Sequence, residues 1–253
     1  MGEHSGVIQG GEPTDHQLDR AWLGQWIQPQ HLTDEALDRY HAEYESGPVP
    51  ILQVSEFLRP EISAQLHALL AEEAEFEDVY VLRVPDSRVE REVWIAAEDS
   101  NRASKYSRLV DVQGGAMSFN PLTYIRLHEA LADRRFVEFF ERITNTPLGS
   151  LQAFGGKAFG VGDYLRPHHD QGNDRLLAFI VYVNPNWRPS YGGALNVQGV
   201  GGERLVLEAE YNSLVCFNVL GHECHYVANV EEAAGAERRL TVGGWIKKPD
   251  GEA

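Results

Sequence analysis

The sequence lacks any long apolar run and has few basic residues for its number of acidic ones. No window approaches the roughly 20 apolar residues that a membrane-spanning helix needs. Lys and Arg total 22 against 38 Asp and Glu, which gives a formal net charge of −16. A nucleic-acid-binding protein needs a basic surface to neutralise phosphates, and an anionic membrane repels a chain of this charge. We therefore expect neither a nucleic acid nor a membrane as a partner.

Cysteine is also rare, since only Cys216 and Cys224 occur in the 253 residues. The polar, acidic N-terminal segment contains no apolar core of the kind that a secretory signal peptide has. Without a secretory context, the simplest interpretation is that both thiols stay free in a reducing compartment. These features predict a cytoplasmic protein without disulfides.

Three familiar catalytic motifs are missing. Lys157 follows two glycines but is not followed by the Ser or Thr of a phosphate-binding loop. No G-x-S-x-G elbow of a serine hydrolase occurs. Residues 222–225, HECH, are one residue too short for the H-E-x-x-H of a zinc protease. The sequence therefore argues against these three enzyme classes.

What remains is a helical first part followed by a β-rich second part. Residues 1–45 predict a helical N-terminal extension, residues 46–247 a single domain, and residues 248–253 a tail. From about residue 148, short β-rich runs alternate with glycine pairs, a pattern typical of a sandwich, barrel or jelly roll. The predicted fold class is mainly β, with a jelly-roll core at about 148–247 and flanking helices.

The region before this core predicts a mixture of elements. Apolar and β-branched residues at 79–82 and 92–95 predict strands, whereas the polar, basic residues 100–107 predict a loop. Residues 122–144 predict a helical region, within which Asp133 caps a second segment.

The most informative segment is residues 162–170, with the sequence GDYLRPHHD. Residues two apart in an extended chain face the same side, so His168 and Asp170 point together. An imidazole and a carboxylate on one face supply two ligands of the 2-His-1-carboxylate site that holds non-haem Fe(II). The alternative is a polar loop with two surface histidines.

A third ligand has to come from another strand. His225 follows one apolar run and precedes another, which predicts a position on a strand of the core. His222 and Cys224 lie an odd number of residues away, so alternation along a strand turns them from the face of His225. The sequence therefore favours His225 as the third ligand.

An arginine at the start of an apolar strand is the remaining signal. Burying Arg239 is costly unless it meets an anion, and Thr241 shares its face, so the two are suited to grip a carboxylate. The alternative is an arginine at the rim paired with one of the many acids, which is the interpretation we prefer for Arg238.

These motifs occur in a fixed order: GDYLxPHxD, IVYVNPxW, GGAL, NSLVxF, CHxV and RxTVxGW. Together they resemble the prolyl-hydroxylase-like branch of the Fe(II)/2-oxoglutarate-dependent dioxygenases, over about residues 150–247. The resemblance implies a double-stranded β-helix, which is a jelly roll flanked by helices. It also implies Fe(II), 2-oxoglutarate as cosubstrate, and O₂.

The resemblance also assigns roles to individual residues. It puts the iron ligands at His168, Asp170 and His225, and the distal carboxylate of the cosubstrate at Arg239, with Thr241 and Tyr182 beside it. A tyrosine buried in the core is an equal interpretation of Tyr182. Phe159 departs from the family pattern, since many relatives carry a tyrosine near this position that contacts the cosubstrate.

The implied activity is hydroxylation of an unactivated C–H bond in a peptidyl or small-molecule substrate, with a prolyl residue as one candidate. Asp170 fills the position that halogenating relatives leave empty for chloride, which favours hydroxylation. Tyr164 and Arg166, on the His168 face, and Arg102, in the polar loop, are the candidates for substrate contact.

Two alternatives stay open. One is a small-molecule tailoring oxygenase acting on a metabolite or an amino-acid derivative, since extra N-terminal helices can form a lid over a small substrate. The other is a cupin-like metal-binding module without turnover. Arg239 distinguishes the second alternative, because a passive module has no need of a buried carboxylate clamp.

Overall fold

A computed structural model of the chain describes residues 18–112 and 118–249. The first 17 residues of the predicted extension and the last four of the predicted tail lie outside this part. Among the helices described, none has both the length and the apolar character to cross a membrane.

Six α-helices are formed by the described residues, and α2 and α6 begin at the capping residues that the sequence indicates. The Thr33 hydroxyl accepts a hydrogen bond from the Ala36 amide, and the Asp133 carboxylate accepts one from the Arg135 amide. The helices are α1 (Arg20–Leu23), α2 (Asp34–Ser46), α3 (Pro60–Ala68), α4 (Arg91–Ala96), α5 (Asn120–Ala132) and α6 (Arg134–Thr144).

The remaining elements are twelve antiparallel strands among the described residues. They are β1 (Ile51–Val54), β2 (Ala74–Leu82), β3 (Ser87–Val89), β4 (Arg102–Val112), β5 (Leu151–Phe159), β6 (Tyr164–His168), β7 (Arg175–Tyr182), β8 (Leu195–Gln198), β9 (Arg204–Leu207), β10 (Leu214–Asn218), β11 (Cys224–Val227) and β12 (Arg239–Lys247). Their order of pairing is β1-β10-β7-β12-β5-β4-β6-β11-β8-β9, with β2 paired to β4 and β3 to β2. The predicted jelly roll is confirmed.

This order divides the barrel into two walls. We call β1, β10, β7, β12 and β5 the major sheet, and β6, β11, β8 and β9 the minor sheet. Strand β4 pairs with β5 of the first and β6 of the second, so it joins the walls along one side. The space between the two sheets holds the polar residues discussed below.

Two predictions for the region before the core were wrong. Residues 92–95 form helix α4, in which Trp94 packs on Tyr80, with ring centroids 5.5 Å apart. Residues 102–107, predicted as a loop, belong to the long strand β4. The two errors are linked, because the Arg102 side chain on β4 donates hydrogen bonds to the Trp94 and Ile95 carbonyls at the end of the helix.

Apart from α4, which packs against β2, the helices cover the outer face of the major sheet. Leu240, Val242 and Ile246 of β12 point into one apolar core together with Phe140 of α6. Helix α2 contacts α6 and β1, and its Tyr44 belongs to the same core. The described part of the predicted extension is therefore packed onto the domain, away from the space between the two sheets.

Candidate active site

Three of the predicted residues meet at one end of the barrel. His168, at the end of β6, and His225, on β11, are cross-strand partners, and their ring centroids lie 4.3 Å apart. Asp170 follows β6 by two residues, with Oδ2 at 3.3 Å from His225 Nε2 and Oδ1 at 3.9 Å from His168 Nε2. One ligand atom from each residue lies within 4.8 Å of the other two.

The electrostatics of this trio suit a divalent metal. Burial and the nearby His225 lower the pKa of His168 to about 4, so its imidazole is neutral at neutral pH. Burial raises the pKa of Asp170, but the hydrogen bond with His225 and the positive charge of Lys157 outweigh burial and hold this pKa below its usual range, so the carboxyl is ionised. A carboxylate beside neutral imidazole is the donor set of a non-haem Fe(II) site, so iron fits these residues.

Two further side chains hold the ligands in place. Trp245 Nε1 donates to Asp170 Oδ2 at 2.9 Å. His222 Nδ1 donates to the Asn218 carbonyl at 3.0 Å, so Nε2 of the neutral ring is an acceptor for His225 Nδ1, 2.9 Å away. With a metal bound, the same hydrogen bond would leave Nε2 of His225 as the free ligand atom, on the side of the ring that faces Asp170.

Neither supporting contact was predicted from the sequence. The alternation argument turned His222 away from His225, but His222 lies in a bend before β11, where strand alternation does not apply. Trp245 was identifiable in principle, because it shares a strand face with Arg239 and Thr241.

Arg239 is buried at the other end of the same space, with 2% of its surface exposed. Its Nη2 donates to the Tyr182 hydroxyl at 3.1 Å, and its Nε has no hydrogen-bond partner. The guanidinium lies 5.1 Å from the Phe159 ring centroid, and no acidic partner is found for it among the described residues. A buried cation with unmet donors is costly, so this arrangement fits an anionic ligand.

The register of the major sheet aligns the residues around Arg239. Thr241 on β12 lies between Tyr182 on β7 and Lys157 on β5, one step further along the same inner face. The Thr241 hydroxyl donates to the Lys157 carbonyl at 3.5 Å. Next in line, Gly243 lines the inner cavity, and a Cβ added there would lie 2.4 Å from the Phe179 carbonyl oxygen of β7, so glycine lets the two strands approach closely.

Two connected spaces result. The inner cavity, of about 80 Å³, is lined by the metal ligands, Arg239, Thr241 and Phe159. The outer groove, of about 550 Å³, is lined by His168 and Asp170 but not by Arg239. The trio of His168, Asp170 and His225 therefore separates a buried cationic end from an open end.

The predicted substrate-contact residues are not all brought to the site. Arg166 lines the outer groove and pairs with Asp99 at 2.8 Å. Tyr164 lines neither space, and its hydroxyl is buried without a hydrogen-bond partner. Arg102 is held at the carbonyls that end α4, outside both spaces.

A jelly roll that combines a two-histidine, one-carboxylate trio with a buried arginine is the arrangement expected of an iron-dependent oxygenase. Residues 155–247 match the sequence profile of the 2OG-Fe(II) oxygenase superfamily. The chain is also 33% identical over 117 residues to Prolyl 3-hydroxylase OGFOD1 of Xenopus laevis, a match that covers 44% of this chain and 22% of that protein. Residues 155–247 are therefore similar to the 2OG-Fe(II) oxygenase superfamily, and the stretch that matches OGFOD1 is similar to its prolyl-hydroxylase-like branch.

Solved structures agree on the fold. A prolyl-4-hydroxylase of Pseudomonas putida superposes with a TM-score of 0.56 at 18% identity, covering 84% of this chain and 98% of that chain. A 2OG-Fe(II) family oxidoreductase of Burkholderia pseudomallei gives 0.58 at 14% identity, covering 87% and 96%. The superfamily uses Fe(II), 2-oxoglutarate and O₂, which confirms the cofactors expected from the sequence.

Proposed function

We propose that this protein is an Fe(II)- and 2-oxoglutarate-dependent hydroxylase that acts on an unactivated C–H bond. His168, Asp170 and His225 hold the iron, and Arg239 binds the distal carboxylate of the cosubstrate, with Tyr182 and Thr241 beside it. The observation that supports this most is the buried Arg239, which has unmet donors and shares one cavity with the trio.

The overall reaction combines the substrate C–H bond, 2-oxoglutarate and O₂ to give the C–OH product, succinate and CO₂. Bound iron supplies the oxygen chemistry. The protein contributes orientation: Arg239 fixes one end of the cosubstrate, while Trp245 and His222 hold Asp170 and His225 in their ligating orientations. Phe159 packs an apolar wall against the guanidinium and excludes water there.

We favour a prolyl residue as the substrate, since the curated relative is named a prolyl 3-hydroxylase and covers the site region. The described residues of the N-terminal extension do not support a lid over a small metabolite, because α2 packs against α6 and β1 on the outer face of the major sheet. The single domain at 46–247 and a cytoplasmic location remain part of the proposal, the latter resting on the free thiols of Cys216 and Cys224.

The direct test is succinate formation that requires iron, O₂ and 2-oxoglutarate. Arg239→Ala should nearly eliminate turnover at any attainable 2-oxoglutarate concentration while iron content stays close to wild type. Arg239→Lys keeps the charge but loses the planar fork, so it should mainly raise the KM for 2-oxoglutarate. Arg238→Ala is the matched control, because Arg238 contacts the Phe76 ring instead of the cavity.

An unchanged KM and rate in Arg239→Ala would contradict the clamp. The favoured explanation would then be a metal-binding module without turnover. Product masses separate the remaining possibilities: a gain of one oxygen atom identifies hydroxylation, and a chlorinated main product in excess chloride contradicts it.

A further inference from the structure

Lys157 is a charged residue of the barrel interior that the proposed chemistry does not use. It lies on β5, opposite Thr241 of β12 on one side and Arg108 of β4 on the other. Its side chain is half-buried and lines both the inner cavity and the outer groove. Lys157 therefore stands where the two spaces join, beside the metal ligands.

Among the described residues, the ammonium group of Lys157 packs against two aromatic rings. It lies 5.3 Å from the ring centroid of Trp245 and 5.6 Å from that of Tyr106. Among the described residues, no hydrogen bond or ion pair joins it to an acidic side chain, although its charge acts on the Asp170 carboxylate; Lys105 on β4, in contrast, is paired with Asp163 at 2.8 Å. Trp245 also donates a hydrogen bond to Asp170. The indole ring of Trp245 therefore contacts both the Lys157 ammonium group and one of the proposed iron ligands.

When iron(II) and 2-oxoglutarate are bound, the charges of the site balance without Lys157, which is left without a counterion. Iron(II) contributes two positive charges and Arg239 one, while Asp170 contributes one negative charge and 2-oxoglutarate two. These charges sum to zero without Lys157 and Arg175, so the charges of both side chains remain. Arg239, buried beyond the ligands, is the natural partner of the distal carboxylate, and Lys157 is the cation that also faces the open groove.

The groove itself is cationic, although the whole chain carries a formal charge of −16. Besides Lys157, it is lined by Arg83, Arg166 and Arg175, with Asp86 as the acid outside the metal site. Arg166 is paired with Asp99, and Arg175 lies 3.8 Å from Asp170. For the exposed Arg83 no ion pair is found among the described residues. Two unpaired cations therefore face the substrate side.

We propose that Lys157 binds a carboxylate of the primary substrate, next to the carbon that reacts. The substrate class is therefore an acidic one, either a peptide with a carboxylate side chain beside the target prolyl residue or a free proline derivative with its own carboxylate. This inference rests on the proposed function, because it takes the iron and 2-oxoglutarate to be bound as described above.

The experiment measures binding, with Mn(II) and 2-oxoglutarate loaded in the absence of O₂. Three peptides that differ only in carrying Glu, Gln or Lys beside proline form one arm, and N-acetylproline against its amide forms the other. Calorimetry should show the carboxylate form binding about tenfold or more tightly than its neutral match in at least one arm, as one charged hydrogen bond provides. The arm that responds tells a peptide from a small molecule.

Lys157→Met should remove this preference, and Lys157→Arg should retain part of it. Lys247→Met is the control, because it removes the same charge from the end of β12 and lines neither space. All three variants should bind 2-oxoglutarate within about twofold of wild type, which shows that they fold and that Lys157 does not hold the cosubstrate.

Three results overturn the proposal. Equal binding of carboxylate and neutral forms in both arms would show that the substrate is not recognised by a carboxylate. A preference for the carboxylate form that survives in Lys157→Met would show that Lys157 is not the residue that binds it. A large loss of 2-oxoglutarate affinity in Lys157→Met alone reassigns Lys157 to the cosubstrate. A wild-type protein that binds Mn(II) but no 2-oxoglutarate contradicts the proposed function as well, whereas the other results leave it standing.

Discussion

The two faces of strand β12 have opposite characters. Leu240, Val242 and Ile246 point outward into the core beneath the helices. Arg239 and Thr241, which alternate with them, point inward and line the cavity. One strand therefore serves stability on one face and chemistry on the other, and the two roles should separate under mutation.

The faces also differ in what they contribute to folding. The outward face buries apolar side chains, each worth about 1.5–3 kcal/mol. The inward face buries the Arg239 guanidinium, for which the described residues supply no acidic partner, so its burial costs stability until an anion binds. We therefore expect substitutions on the inward face to change ligand affinity and substitutions on the outward face to change the free energy of unfolding.

The largest effect is expected for His225→Ala on the inward side. Removing one of three ligands should abolish stoichiometric iron binding and all succinate formation, while the unfolding midpoint of the metal-free protein changes little. Metal analysis after anaerobic loading is the measurement. His169→Ala, an exposed neighbour of the trio, is the control and should keep the iron. Retention of one tightly bound iron in His225→Ala would show that another residue is the third ligand.

The outward face should respond in the opposite way. Phe140 of α6 is 1% exposed and packs on Phe179 of β7, with ring centroids 5.5 Å apart. Phe140→Ala should lower the free energy of unfolding by about 3–5 kcal/mol, because it leaves a cavity in the core. Urea unfolding measures this loss, and Phe119→Ala, at a side chain that is 73% exposed, is the control.

If Phe140→Ala weakened metal binding in the protein that stays folded, the separation of stability and chemistry between the two faces would be contradicted. Titration with Mn(II) under conditions where the variant is fully folded checks this. We expect the affinity to match wild type, since Phe140 lies on the far side of the major sheet from the trio.

Sequence patterns predicted the structure correctly where neighbouring residues along the chain determine the conformation. Strand alternation brought His168 and Asp170 to one face, and glycine-punctuated apolar runs located most strands of the jelly roll. Residues 102–107 were missed as a strand because their polar, basic composition carries no alternating pattern, and pairing with β2 decides their conformation. Helix α4 was missed because Trp94 is fixed by packing on Tyr80 instead of by local propensity.

The supporting residues of the site were missed for a related reason. The position of Lys157 depends on the register between β5 and β12, which the sequence does not determine. The contact of His222 with His225 depends on a bend, to which strand periodicity does not apply. Residues in register-dependent or bent segments are thus the ones that only a three-dimensional structure brings together.

Removing the hydrogen bond between His222 and His225 should have an intermediate effect on metal affinity. His222→Ala leaves Nδ1 of His225 without its acceptor, so the affinity for Mn(II) should fall about 10- to 100-fold, as is usual when a supporting hydrogen bond to a metal ligand is removed. His222→Gln restores an acceptor and should recover part of the loss. Wild-type affinity in His222→Ala would show that β11 alone orients the His225 ring.

The smallest effect is expected at the start of α6, on the stability side of the comparison. Asp133 Oδ1 accepts from the Arg135 amide at 3.0 Å, and Arg135 Nη2 donates to Oδ2 at 2.8 Å. Asp133→Ala removes this cap and should cost about 1 kcal/mol, a fall in Tm of about 2–4 °C for a chain of this size. Iron and 2-oxoglutarate binding should not change.

The pH dependence of this cap sharpens the test. The hydrogen bond from the Arg135 side chain, the largest cause, lowers the pKa of Asp133 to about 2. Because the pKa is depressed on folding, the carboxylate stabilises fully above the ordinary aspartate value of about 3.9 and loses its effect as the pH falls towards 2. The difference in Tm between wild type and Asp133→Ala should therefore be constant from pH 5 to about 8.

Asp133→Asn keeps the acceptor oxygen, so its Tm should lie between those of wild type and Asp133→Ala. A difference that grows as the pH falls below 5 would mean that Asp133 does not act through its ionised side chain, and the assignment of the cap would have to change.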